Sequence, residues 1–290
     1  MAIERAQFAI SQGVTTLEIK SGYGLDFDSE LKILRVAKKL SEILPITIKA
    51  TCLAAHVVPP EYKHRRSEYV NGIIEKLLPQ IKEENLADSL DVFCEKIAFS
   101  LEETETLLKG AKALGFSVKV HAEQLSSSGA TQLAARYQAL SVDHLEYTTE
   151  ADVLALKLSG TTPVLLPGAF YFLRETQMPP IDLFRKHQVP VALATDFNPG
   201  TSPINSLLTV MNLACVLWRF TPEEALRSVT LHAAQALGLN SKIGSLEIGK
   251  NADFALWKIE TLSELAYYLN GQHCKGLIKN GSIIKMNSRV

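Results

Sequence analysis

Residues 189–201, VPVALATDFNPGT, begin as a short, almost wholly apolar run bounded by proline, which reads as a strand buried on both faces. Asp196 arrives at the carboxyl end of that run, and Asn198, Pro199 and Gly200 then break the chain into a loop. Parallel α/β folds keep their chemistry at such strand ends. Taken alone, an Asp before Asn-Pro-Gly is better explained as a residue that caps its own loop through the backbone. The choice turns on how the other strands of the chain end.

Several end the same way. Residues 14–20 form a β-branched run that feeds a glycine loop presenting Tyr23, and residues 46–55 deliver His56. Residues 90–95 end in Glu95, 116–120 in His121-Ala122-Glu123-Gln124, 139–143 in His144, and 162–166 in Pro167-Gly168. Helical patterns separate these runs. Asp28 or Ser29 is the expected cap of the helix whose stripe is Ile33, Val36, Ala37, Leu40 and Leu44, and residues 61–90 read as a long helical connection. Ser100 with Glu103 makes a capping box, and Thr149 caps a helix that Gly160 closes. Residues 179–187 read as one more helix.

Strand and helix thus alternate seven times, a pattern that specifies a parallel sheet with right-handed crossovers. Each strand reads as close to continuously apolar, as a sheet covered on both faces requires. Tyr23, His56, Glu95, His121, His144 and Asp196 all fall at strand carboxyl ends, where a barrel mouth would make them converge. A barrel is therefore preferred to a doubly wound open sheet, which keeps its site at one switch point. Seven units is one short of a (β/α)8 barrel, and the amphipathic helix at residues 2–10 has neither a cap nor a strand before it. The expectation is that the missing unit lies before Met1.

The bulk properties narrow the function. Lys+Arg 30 against Asp+Glu 31 gives a net charge of −1, with no electrostatic footprint for nucleic acid or an anionic membrane. The four cysteines form no C-x-x-C pair, and Cys52 and Cys94 lie in apolar runs where a buried free thiol is expected. No signal peptide or membrane-spanning run is visible, so a cytoplasmic setting is the default expectation. Beyond the barrel, residues 203–220 read as a mostly apolar helix, and Thr221 with Glu224 makes a capping box with proline in its first turn. Residues 230–238 give another helix. Residues 243–257 then switch to strands with turns, and 276–284 form a hairpin around Asn280-Gly281 as a type I′ turn.

Of the seven histidines, His64, His187 and His273 lie in polar, exposed-looking segments, and His232 reads as a packed helix-face histidine. His56, His121 and His144 each end a strand. For any one of them a structural role is as good an explanation as a functional one; with Asp196, the set favours function. Two histidines and a carboxylate suit a borderline metal ion that activates water.

His121, His144 and Asp196, followed by IGSLEIGKNADFALW at 243–257, resemble the amidohydrolase superfamily, as ends of its fifth, sixth and eighth barrel strands. KSGYGL at 20–25, AHVVP at 55–59, DVFCE at 91–95, HAEQ at 121–124 and TDFNPGT at 195–201 together resemble one branch of it. That branch hydrolyses the lactam C–N bond of 4-imidazolone-5-propanoate to N-formimidoyl-L-glutamate in histidine degradation. The resemblance implies a TIM-like (β/α)8 barrel of the amidohydrolase type lacking its first strand over residues 1–241. Residues 242–290 would supply the C-terminal strands of a small, incomplete β-sandwich domain.

The resemblance also implies one zinc or iron ion, with His121 and Asp196 as ligands and Asp196 taking a proton from the attacking water. His144 would polarise the carbonyl under attack. Tyr23, His56, Gln124, Asn198, Gly200 and Thr201 would contact the substrate. A small molecule is the implied partner, with no nucleic acid and no membrane, and with room for a homodimer. The superfamily takes two further ligands from a His-x-His at the end of its first strand, and the 290 residues contain none. These residues alone are therefore expected to bind metal weakly and turn over little. The alternatives are another amidohydrolase, a deaminase or cyclic-amide hydrolase, and a non-catalytic truncated barrel. A carboxylated lysine would favour the cyclic-amide hydrolase, but Lys96 reads as an ordinary surface residue.

Overall fold

In the computed structural model, which describes residues 1–269 and 274–284, seven parallel strands pair in chain order. They are β1 (Thr16–Lys20), β2 (Thr47–Ala55), β3 (Ser89–Phe93), β4 (Ser117–Ala122), β5 (Ser141–His144), β6 (Thr162–Leu165) and β7 (Ala192–Leu193). Strictly sequential order means that every crossover steps one place in the same direction, the winding of a barrel, whereas a doubly wound sheet reverses at a switch point. Among the described residues β1 pairs only with β2 and β7 only with β6, so the sheet is a curled, open part of a barrel.

The strands alternate, and here the reading of continuously apolar strands is corrected. Leu90, Val92, Val118, Val120 and Val142 are fully buried in one cluster with Leu107 and Leu108 of the helix Leu101–Ala113, Leu133 of Ala130–Arg136 and Leu156 of Glu150–Ser159. The residues between them, Asp91, Lys119, His121 and Asp143, are polar and turn to the opposite face, inside the curl. The sheet is covered by helices on its outer face and carries charges on its inner one.

The capping boxes at Ser100, Thr149 and Thr221 form as read, the last with Pro222 in the first turn. The cap of Phe27–Ile43 is Asp26, not Asp28 or Ser29: its carboxylate accepts from Ser29 N–H at 2.8 Å. That helix buries Leu31, Leu34, Ala37 and Leu40, while Val36 is exposed and Leu44 lies beyond the last turn, so the buried face is rotated from the expected stripe. Apolar residues on both sides of Ala37 made the periodicity ambiguous. The connection after β2 contains a π-helical turn at Ile73–Leu77. Pro167-Gly168 opens a helix, Pro167–Leu173, that the turn-like dipeptide concealed because proline suits a first helical turn.

A second, antiparallel sheet has the order β10-β9-β8, with β8 (Phe254–Trp257), β9 (Cys274–Lys279) and β10 (Ser282–Ile284). Asn280 and Gly281 have φ of 49° and 77°, the two left-handed residues of a type I′ turn. Residues 243–253, expected to contain strand, form turns, with Gly244 and Gly249 at positive φ. Cys274 and Leu277 pack this sheet against Ile10 and Ile46 below the barrel strands. His273 and part of the expected 242–290 unit lie outside the described residues. Cys52 and Cys94 are buried free thiols. No helix of the described residues is long and apolar enough to cross a membrane.

Candidate active site

Parallel register builds the floor of the site. Phe93 pairs with His121 and His121 with Asp143, while Asp91 pairs with Lys119, so inward side chains of three adjacent strands meet in two layers. Lys20, entering from β1, places its ammonium 2.7 Å from Asp91 Oδ2 and 2.6 Å from Asp143 Oδ2. Lys119 pairs with Glu18 at 2.8 Å, and Glu18 also accepts from Thr51 Oγ1 at 2.6 Å. Burying these charges is tolerable because each is paired and hydrogen-bonded. Burial alone would raise both aspartates, but His121 and Lys20 hold Asp91, and Lys20 and His121 hold Asp143, below the usual carboxylate range.

His121 is fixed from this floor. Its Nδ1 lies 3.0 Å from Asp91 Oδ1, and its Nε2 3.9 Å from Asp143 Oδ2. Burial works against a charge on the ring, and Asp91 outweighs it, so the His121 pKa is raised. Above it the rings run on without a break. Tyr23 to His56 is 5.2 Å between centroids, His56 to Phe93 5.7 Å, Phe93 to His121 6.2 Å, and His121 to His144 5.4 Å.

His144 reaches the cavity by breaking the strand alternation. Register would send it to the outer face with Ala122, its partner, but His144 and Leu145 have φ of 83° and 77°. Two successive left-handed residues of this kind each cost roughly 1–3 kcal/mol and are held only where surrounding packing insists. Leu145 is fully buried and His144 nearly so, and His144 Nδ1 has no hydrogen-bond partner among the described residues. Burial, and then the charge on His121, push the His144 pKa down to about 3, so its ring is neutral. His56 is pushed down to about 4 by burial first and His121 second.

Asp196 follows β7 with φ of 48°. Burial raises its carboxyl, against the charges of His121 and Lys20. The loop behind it is built by Asn198, whose Nδ2 donates to Asp196 O at 2.6 Å and Thr201 Oγ1 at 2.9 Å. Its Oδ1 accepts from Gly200 N at 2.8 Å and Thr201 N at 2.7 Å. Tyr23, His56, His121, Gln124, His144, Asp196, Asn198 and Thr201 all line one cavity of about 1020 Å³. Gly200 does not line it; it borders a smaller pocket of about 210 Å³ together with Arg5, Phe172 and Pro203.

Glu95, read as part of the converging set, does not reach the cavity. It is buried and spends its oxygens on Leu125 N–H, Ser126 N–H and the Ser126 hydroxyl. His187, read as exposed, is half-buried and pairs with Glu150 at 2.7 Å. His232 is half-buried and packs as read, with Nδ1 2.9 Å from Val191 O. Sequence reasoning missed Glu18, Lys20, Asp91, Lys119 and Asp143. Their signal was present, two charges at alternate positions of β1 and a lone charge set between apolar or histidine neighbours in β3, β4 and β5.

A family model described as "Amidohydrolase family" matches residues 2–284. The imidazolonepropionase of Shewanella oneidensis is 58% identical over 281 residues, which is 97% of this chain and 69% of that protein. An imidazolonepropionase of Shewanella baltica is 56% identical over 285 residues, 98% of this chain and 70% of the relative. The chain belongs to the amidohydrolase family. Its fold is shared with a triazine hydrolase variant, at a TM-score of 0.79 and 16% identity over 99% of this chain and 71% of that one. The guanine deaminase from C. acetobutylicum matches at 0.73 and 16%, over 98% and 74%.

Amidohydrolase membership makes the chain a hydrolase of small molecules, and its donor set suits a divalent metal. Ligand atoms of Asp91, His121 and Asp143 lie within 4.8 Å of one another. Lys20, however, already neutralises both of those aspartates, so an ion at their centre would have to displace an ammonium. His121 fits a metal better from its other nitrogen. A ligating histidine characteristically gives its second N–H to a carboxylate, and His121 Nδ1 lies 3.0 Å from Asp91 Oδ1.

Proposed function

We propose that this chain is the amidohydrolase that opens the lactam C–N bond of 4-imidazolone-5-propanoate to give N-formimidoyl-L-glutamate. The observation that carries the reading is one cavity onto which His121, His144 and Asp196 converge from three strand ends, in a chain 58% identical to an imidazolonepropionase. His121 Nε2 and the Asp196 carboxylate would hold zinc or iron. Bound there, the ion would supply Lewis acidity to the attacking water and to the lactam carbonyl.

The chain's own groups do the rest. Asp196, with its carboxyl raised by burial, takes the proton from the attacking water and returns it to the ring nitrogen as the C–N bond breaks, so that water is added across that bond. His144, neutral and pre-aimed by its backbone, gives a hydrogen bond to the carbonyl oxygen as charge grows on it. Tyr23, His56, Gln124, Asn198 and Thr201 contact the ring and its propionate arm, and Gly200 shapes the loop that carries two of them. Residues 1–241 would form the catalytic unit, and β8, β9 and β10 within 242–290 the strands of a small β domain; the protein works in the cytoplasm, with a homodimer as the assembly to test by light scattering.

The test is product formation from 4-imidazolone-5-propanoate with excess Zn2+ or Fe2+, with guanine and a triazine as comparison substrates. Slow, metal-dependent opening of the imidazolone ring alone is expected, the rate being limited because no His-x-His occurs in the 290 residues. Preferential turnover of guanine or the triazine would contradict the reading in favour of another amidohydrolase. A folded chain inert toward all three would favour a non-catalytic barrel.

A further inference from the structure

We propose that Asp91, clamped by the Lys20 ammonium, is the positioning residue that fixes His121 in the tautomer protonated at Nδ1. This rests on the reading of His121 as a metal ligand. Asp91 is fully buried and its two oxygens are divided, Oδ1 to His121 Nδ1 at 3.0 Å and Oδ2 to Lys20 Nζ at 2.7 Å. An ionised carboxylate only accepts, so the nitrogen facing Asp91 has to carry a proton. The neutral ring then has its lone pair on Nε2, the nitrogen a metal needs. Lys20 adds direction. Its ammonium also binds Asp143 Oδ2 at 2.6 Å, and Ser141 Oγ donates to Asp143 Oδ1 at 2.9 Å, so neither carboxylate is free to rotate away.

The arrangement makes Asp91→Asn informative. The Lys20 ammonium only donates, so it would claim the amide oxygen and turn the amide NH2 toward His121 Nδ1. The isosteric variant would then impose the opposite tautomer, with the proton on Nε2 and no lone pair for a metal. A residue that merely fills space or pairs with Lys20 would produce no such reversal.

The experiment is 15N NMR of the full chain labelled at histidine, at alkaline pH where the ring is neutral, with His121 assigned by its loss in His121→Ala. The wild-type ring is expected to show a protonated Nδ1 and a bare Nε2, and Asp91→Asn the reverse. Zn2+ affinity, by competition with a chromophoric chelator, is expected to fall about 10- to 100-fold in Asp91→Asn. A wild-type ring protonated at Nε2, or an Asn variant with an unchanged tautomer, would overturn the proposal. The wild-type spectrum decides it even if the variant does not fold. If His121→Ala binds Zn2+ as wild type does, the ligand reading fails, while the wild-type ring still reports on Asp91.

Discussion

The Tyr23 hydroxyl donates to Asn198 Oδ1 at 3.1 Å, joining the loop after β1 to the loop after β7. These are the outermost strands of the seven, so the contact closes the curl at its carboxyl rim although the strands themselves are unpaired with each other. It also sets the tyrosine beside the loop that carries Asp196.

Asn198 is the centre of that contact and Tyr23 its periphery, which orders the expected effects of removing each. Tyr23→Phe deletes one hydrogen bond at an exposed position and is expected to cost no more than about 1 kcal/mol. Asn198→Ala strips partners from Gly200 N–H, Thr201 N–H and Asp196 C=O together and is expected to cost clearly more. Urea titration of both variants checks the order; equal midpoints would contradict it.

Glu30 governs the loop at the other edge. It is fully buried and accepts from Gly22 N at 2.8 Å and Gly24 N at 2.6 Å, so that Tyr23 stands between two anchored residues. Glu30→Ala leaves both N–H groups without their acceptor, and a loss of about 2–3 kcal/mol is expected from charge-assisted bonds of this kind. Gly24→Ala would set a methyl 2.7 Å from the Glu30 amide nitrogen and 2.7 Å from its carboxylate, so the backbone would have to shift. Equilibrium denaturation is the measurement, and a stable Glu30→Ala protein would refute this bracing role.

Glu146 supplies a pH dependence of definite sign. Burial, and then the charges of Glu175, Asp196 and Glu95, push its carboxyl up to about 8, and its Oε2 is buried without a hydrogen-bond partner among the described residues. Its folded value lies above the unfolded one, so the folded protein binds the extra proton. Its contribution to stability is complete below about pH 4.5 and is lost as pH rises through about 8. Glu146→Gln, neutral at every pH, is expected to match wild type near the acid end and to be the more stable protein at the alkaline end. Parallel pH profiles of the two unfolding midpoints would contradict the shift.

The architecture was legible because its signals are local. Each capping box and the Asn280-Gly281 turn follow from a few adjacent residues, and the strand-helix alternation follows from summing them. The convergence of His56, His121, His144 and Asp196 could be read from their places at strand ends. The polar floor could not, because pairing between strands decides which charges meet: Lys20 lies 71 residues from Asp91 and 123 from Asp143. The strain at His144 and Leu145 was equally hidden: histidine enters left-handed backbone more readily than most residues but leucine does not, and only the surrounding packing imposes it on both in succession. Leu31 and Leu34 displaced Ile33 and Val36 on the buried helix face for the same reason, as packing against the sheet decides which of two adjacent apolar stripes on this amphipathic helix is covered.

If His121 and Asp196 hold a metal ion for lactam hydrolysis, as proposed, Asp196→Asn is the decisive variant. The measurement is the rate of N-formimidoyl-L-glutamate formation by wild type and variant in excess Zn2+, with thermal unfolding followed in parallel. A fall of about 10²- to 10⁴-fold in rate is expected, with a melting transition close to wild type and no wild-type activity after chelation. An Asn variant as active as wild type, or a wild-type rate indifferent to the chelator, would contradict the account.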